Sequence, residues 1–267
     1  MAQEQMELVA RSVRKDFKGA GGGLLAVDDV SLTIKPGEFV TILGPSGCGK
    51  STFLHMIGGF DQPSSGELLH RGKVISAPGP DRGMMFQDLS LFPWATVEEN
   101  IRWPLDVKGL SKSEKDKITQ EVLSLVHLDA MGHLYPAQLS GGMRQRTALA
   151  RLLALDPDVM LMDEPFGALD AQTRELLQEE LQQIWRRKQK TIVFVTHDID
   201  EAIYLGTRLI VFTRRPGRIQ ADLKVPGEID RAPTFRTSPE FTAMRIQVWE
   251  MLREQISAAR GSHATDA

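Results

Sequence analysis

A chain of 267 residues, 42% of them hydrophobic and 25% charged, holds enough apolar material for one large core, or a core with an appendage. Its formal net charge of −3 argues against a nucleic-acid backbone as the main partner, because that role favours a basic surface. The single cysteine, Cys48, excludes an intramolecular disulfide and points to a reducing cytoplasm. No apolar run nears the roughly eighteen residues that cross a bilayer, and the N-terminus lacks the uninterrupted apolar stretch of a signal peptide. The expectation is a chain soluble by itself, with any membrane role supplied through a partner.

Residues 7–17 read as a short strand, followed by a glycine-rich turn over 18–23 and a second strand-like stretch, "LLAVDDVSLTI". "FVTIL" is an unbroken apolar run of the kind a strand shows when both its faces are covered. A glycine loop comes next, with a helix expected from Ser51. Between Gln87 and Arg151 the pattern is mostly helical, and "SKSEKDKITQEVLSLVHL" opens on a serine cap candidate. "DVMLMDEP" and "KTIVFVTHD" read as two further buried strands. The helix "AQTRELLQEELQQIWRRKQ" joins them into a unit of the parallel-sheet kind, and its terminal basic cluster complements the helix dipole. Beyond Arg214 the chain is rich in proline and glycine. It then turns amphipathic, with Phe241, Met244, Val248, Met251 and Leu252 on one helical stripe expected to pack on the core. "GSHATDA" reads as disordered.

Residues 44–51 match G-x-x-x-x-G-K-[ST] in full. Glycines at these places let successive backbone N–H groups converge on phosphate oxygens, and the following helix points its positive end there. Lys50 would reach the outer phosphates as a point charge, and the Ser51 hydroxyl would ligate Mg2+. Cys48 reads as a small filler within the loop. The run "VMLM" ends in Asp163 and Glu164; beside a P-loop, Asp163 suits the magnesium shell and Glu164 could polarise a water for attack on the γ-phosphate. His197, directly after "TIVFVT", is either a structural strand-end residue or a neutral imidazole that hydrogen-bonds the γ-phosphate. The Gln87 side-chain carbonyl could touch magnesium or water.

A second phosphate grip stands about ninety residues on, in "LSGGMRQR". Ser140, Gly141 and Gly142 can cap a helix and offer N–H groups to an anion. The simplest geometry that uses both grips is a head-to-tail pair of chains, each closing its serine–glycine helix over the nucleotide held by its partner.

These motifs, in this order, resemble the ATP-binding subunits of ABC transporters over about residues 7–215. The likeness rests on the P-loop, the Gln87 loop, "LSGGMRQR", "LMDEP", the "ALD" loop ending at Asp170, and His197. It implies an α/β fold: a P-loop NTPase core on a mixed or parallel sheet, an N-terminal antiparallel β subdomain and a helical insertion subdomain. The ATPase domain would span residues 7–240, with the insertion at about 88–155, and residues 241–267 would form a C-terminal amphipathic helix and tail. The resemblance implies that Gly44, Pro45, Ser46, Gly47, Cys48, Gly49, Lys50, Ser51 and Thr52 bind ATP. It also implies that Phe17 stacks on adenine with Val27 as a second contact. Glu164, His197 and Gln87 would serve catalysis, while Ser51, Gln87 and Asp163 hold Mg2+. Ser140, Gly141, Gly142 and Asp170 would touch the partner chain's ATP.

The implied assembly is a homodimer on the cytoplasmic face of the membrane. It would dock on two integral-membrane permease subunits, served indirectly by a periplasmic or extracellular solute-binding protein. Leu91, Phe92 and Trp94 would lie where the permease inserts a helix, or else form insertion core. "GPDRGMMFQ", "LFPWATVEENI", "THDIDEA" and "RPGRI" are similar to importers of the nitrate, sulfonate and taurine group. The alternatives are an importer subunit for another small solute, a soluble ABC ATPase of translation or DNA repair, and a P-loop kinase or GTPase. The chain has neither a second cassette nor an N-K-x-D guanine-reading motif.

Overall fold

Strands β1 (Leu8–Phe17) and β2 (Leu24–Ile34) pair antiparallel, and β1 pairs on its other side with β4 (Ser65–His70), which carries the short β5 (Lys73–Val74). This computed structural model describes residues 8–18, 23–227, 231 and 233–262. Residue 7 and most of the glycine turn therefore lie outside the described residues. Ten strands and seven α-helices, numbered in chain order, are found among them. They divide between two compact units, one formed by the chain up to Pro78 and from Thr191 onward, the other by Gly79–Lys190. No helix among the described residues is long and apolar enough to cross a membrane.

In the first unit the antiparallel sheet is accompanied by a mixed one. β3 (Phe39–Leu43) lies between β8 (Thr191–Thr196) and β9 (Arg208–Phe212), parallel to both, and β10 (Ile219–Lys224) returns antiparallel along β9. Every residue of "FVTIL" and "TIVFVT" is buried, as parallel strands covered on both faces require. Helix α1 (Lys50–Gly58) follows β3 directly, one residue earlier than the sequence suggests. α6 (Ile199–Leu205) starts on an Asp198 cap, and its C-terminal carbonyls are closed by the buried Arg231. That guanidinium donates to the carbonyls of Ile203, Tyr204 and Gly206 at 2.9, 2.9 and 2.6 Å. α7 (Pro239–Ser262) packs on α6, burying Phe241, Met244 and Val248, while Met251 and Leu252 are only half-buried. The tail read as disordered is corrected in part: Gly261 and Ser262 still belong to α7, and the rest lies outside the described residues.

In the second unit β6 (Arg82–Met85) runs parallel to β7 (Val159–Asp163), which is buried throughout. α2 (Val97–Val107) and α3 (Lys112–Leu125) each open on a capping box, Thr96 with Glu99 and Ser111 with Glu114. Both pack on α4 (Gly141–Leu155), which in turn touches α5 (Ala171–Lys188). The last turn of α5 carries Arg186, Arg187 and Lys188, as the dipole favours.

Candidate functional site

The loop between β3 and α1 has a shape that only its glycines allow. Gly47 and Gly49 have φ of +72° and +110°, and a Cβ on Gly49 would lie 2.4 Å from the Ala26 carbonyl oxygen. Gly49 is also the N-cap of α1, with no side chain to occupy the helix's leading amides. Lys50 is only 4% exposed, and its ammonium folds back to donate to the carbonyls of Gly44 at 2.8 Å and Pro45 at 3.1 Å. The Cys48 side chain is buried in the loop, and its N–H points to the Pro45 carbonyl at 3.3 Å. Ser51 and Thr52 are half-buried in the first turn of the helix. A positive helix end and a buried cation are the ingredients of an anion site.

Strand register sets the neighbours of this loop. Leu43 pairs with Thr196, so Gly44 and His197 leave adjacent parallel strands at the same end, with His197 exposed. On the other side Leu43 pairs with Val211, and the turn after β9 comes back against the loop. There Arg215 donates through Nε to the Gly47 carbonyl at 3.1 Å, a neighbour that motif reading misses. Phe17 ends β1 opposite Leu24, is 40% exposed, and carries the Lys15 ammonium 4.9 Å from its ring centroid. Val27 lies beneath the same loop. Its side chain is buried, and its Cγ2 lies 3.2 Å from where a Cβ on Gly49 would stand, so it packs against the phosphate loop.

In the second unit the same logic joins Gln87, Asp163 and Glu164. Met85 pairs with Met162, so the residues after β6 and those ending β7 emerge side by side at the carboxyl ends of two parallel strands, where ligands collect. Asp163 is buried and Gln87 exposed. Glu164 has φ of +44°, a left-handed conformation that costs a side-chain-bearing residue energy and is concentrated at functional sites. From α4, the buried Gln145 amide donates to the Pro165 carbonyl, and Arg151 donates to the carbonyls of Leu89 and Ser90 at 2.8 and 2.7 Å. One helix thus holds both the segment after Glu164 and the segment after Gln87. Neither contact belongs to a motif that sequence reading isolates.

The N-terminus of α4 is exposed. Ser140 Oγ accepts the Met143 N–H at 3.3 Å, while the amides of Gly141 and Gly142 find no acceptor among the described residues. A Cβ on Gly142 would stand 2.8 Å from Thr173 Cγ2, in the first turn of α5. That helix is capped by Asp170, whose carboxylate accepts the Thr173 N–H at 3.0 Å. The same hydrogen bonding, led by this backbone N–H, holds the Asp170 carboxyl below its ordinary range. Ser140, Gly142 and Asp170 therefore share one surface. Farther along the unit, Trp94 is 76% and Trp103 52% exposed. Both lie against Phe92, with ring centroids 5.5 and 5.3 Å apart.

Residues 27–167, more than half of the chain, match the family model described as ABC transporter. Three relatives align over most of their length. The nitrate import ATP-binding protein NrtD of Synechocystis sp. is 43% identical over 93% of this chain and 96% of that protein. The taurine import ATP-binding protein TauB of Roseobacter denitrificans is 45% identical over 87% and 88%. The aliphatic sulfonates import ATP-binding protein SsuB of Bacillus thuringiensis is 44% identical over 91% and 94%. Among solved structures, the dimeric post-hydrolysis state of the ATP-binding cassette MJ0796 bound to ADP and Pi superposes with a TM-score of 0.74. It is 36% identical, and the match covers 83% of this chain and all of that one. The chain belongs to the ABC transporter family, as an ATP-binding and ATP-hydrolysing subunit.

Proposed function

We propose that this subunit drives uptake of a small anionic solute of the nitrate, sulfonate or taurine kind, as a homodimer seated on two permease subunits at the cytoplasmic face of a membrane. The solute class is supported by three relatives named for such anions at 43–45% identity. Association in pairs is supported by the dimeric cassette it resembles. The observation that carries the motor reading is the exposed start of α4, where two glycine amides beside Asp170 have no acceptor among the described residues. A helix end left open in this way is an anion grip in search of an anion, and a partner chain's nucleotide supplies one.

In this reading the loop amides and Lys50 hold the phosphates of ATP, with Phe17 against the base and Val27 as its second contact. Ser51, Gln87 and Asp163 are hard oxygen donors that suit Mg2+, which takes few protein ligands and shares phosphate oxygens. When bound, Mg2+ offsets the charge on the outer phosphates. The Glu164 carboxylate orients the attacking water and accepts its proton, while His197 hydrogen-bonds the γ-phosphate. Ser140, Gly141, Gly142 and Asp170 of a second chain close the pocket. ATP then works by binding the closed pair more tightly than the open one, because a ligand shifts an equilibrium only by its differential affinity. The surface around Phe92, Trp94 and Trp103 receives the permease, and a solute-binding protein outside the membrane delivers the cargo.

Reconstitution in vesicles with its permease pair and solute-binding protein tests the solute class. ATP turnover should rise with nitrate, a sulfonate or taurine and stay flat with neutral sugars. Stimulation by a sugar alone would overturn the assignment.

A further inference from the structure

We infer that Arg215 is a positioning residue for the phosphate loop, gripping the outside of the Gly47–Cys48 peptide so that the Cys48 N–H faces the nucleotide. The inference rests on the reading of residues 44–52 as the ATP site. Arg215 Nε donates to the Gly47 carbonyl at 3.1 Å, and its Nη2 lies 3.1 Å from where a Cβ on Gly47 would be. In a trans peptide the C=O and N–H point opposite ways, so a carbonyl pinned outward turns the following N–H inward. That N–H now reaches the Pro45 carbonyl at 3.3 Å, a long contact readily exchanged for a phosphate oxygen. A cation on the carbonyl side also polarises the peptide and strengthens its N–H as a donor. Arg215 is exposed, and no carboxylate pairs with it among the described residues, so its charge stays uncompensated beside an anion site.

The turn that delivers this guanidinium is held on several sides. Thr213 and Arg218 exchange backbone and hydroxyl hydrogen bonds, Thr213 N–H to the Arg218 carbonyl and Arg218 N–H to Thr213 Oγ1, both at 2.9 Å. Gly217 bonds to β2, donating to the Ala26 carbonyl at 2.9 Å and accepting the Asp28 N–H at 3.0 Å. A Cβ on Gly217 would stand 2.4 Å from the Cys48 carbonyl oxygen, so the turn presses on both peptides that flank Cys48. Arg218 and Arg14 take opposite oxygens of the buried Asp28, at 3.0 and 2.7 Å. Hydrogen bonding from Arg218 holds that carboxyl below its ordinary range. From α7, Gln255 Oε1 accepts the Arg214 N–H at 2.8 Å.

Nucleotide binding by the full chain tests this. Arg215→Ala should raise the Kd for ATP about five- to twentyfold, the effect of one charge-assisted hydrogen bond at an exposed place. Inorganic tripolyphosphate, displacing a fluorescent ATP analogue, should lose affinity by the same factor, because the defect lies in the phosphate cradle. Saturated turnover should stay within about twofold, as loss of uniform binding predicts. Arg215→Lys should recover only part of the affinity, and Arg214→Ala, which removes the same charge next door, should bind like wild type. An unchanged Kd in Arg215→Ala would overturn the inference. So would an ATP defect that spares tripolyphosphate, which would place Arg215 on the base or ribose, or an equal loss in Arg214→Ala, which would reduce the effect to net charge. Wild-type chain that binds no ATP would instead sink the underlying reading of the loop.

Discussion

The chain carries two glycine-rich helix starts that look alike in sequence and are built on opposite plans. The start of α1 is closed: its glycines hold left-handed backbone, Lys50 is buried against its own loop, and the strand that leads into that loop, β3, is held in fixed register between β8 and β9. The start of α4 is open: Ser140 caps it in the ordinary extended conformation, and the next two amides have no acceptor among the described residues. Space tells the same story, since a Cβ on Gly49 would collide with backbone while one on Gly141 would meet Leu169 at an ordinary 3.6 Å. A closed start is a pocket prepared within its own unit. An open one is a surface whose use requires something brought to it.

The two plans should fail differently. Breaking the closed start has the largest effect on binding itself: Lys50→Ala should weaken ATP affinity by about a hundredfold or more, the scale for removing one member of a buried charge contact. Equilibrium binding to the isolated chain measures this, and unchanged affinity would remove Lys50 from the site. Damage to the open start should spare that affinity. Gly142→Ala crowds Thr173 and should lower turnover about ten- to a hundredfold, the cost of misplacing a positioned group. The Kd for ATP, measured on dilute chain, should stay within about twofold.

The smallest effect concerns the neighbouring cap. The Asp170 carboxyl sits below its unfolded value because it accepts the Thr173 N–H, so its contribution is present above the ordinary carboxylate range near 4. That contribution is lost as pH falls through the lowered value. Wild type should therefore lose thermal stability faster than Asp170→Asn between about pH 5 and pH 3, with little difference at pH 7. Parallel melting curves would show the cap to be inert.

Much of this was legible from residues. "FVTIL" and "TIVFVT" announce covered strands because nothing polar interrupts them, and the serine before α3 announces its cap because its glutamate partner stands three residues on. What escaped depends on contacts between distant segments. β10 was hidden within a proline- and glycine-rich stretch because its exposed outer face lacks an apolar run. Arg215, Gln145 and Arg151 act through backbone carbonyls, and a carbonyl leaves no trace in residue type.

If one chain's open helix start completes the other chain's closed loop around a single ATP, two chains should pair only while ATP is held. Light scattering on Glu164→Gln, a change expected to arrest hydrolysis, reads this pairing. The expected result is dimer with ATP and Mg2+, monomer with ADP, and monomer again when Gly142→Asp is added while ATP still binds. Glu164→Gln chain that remains monomeric at saturating ATP, or a dimer indifferent to Gly142→Asp, would contradict it.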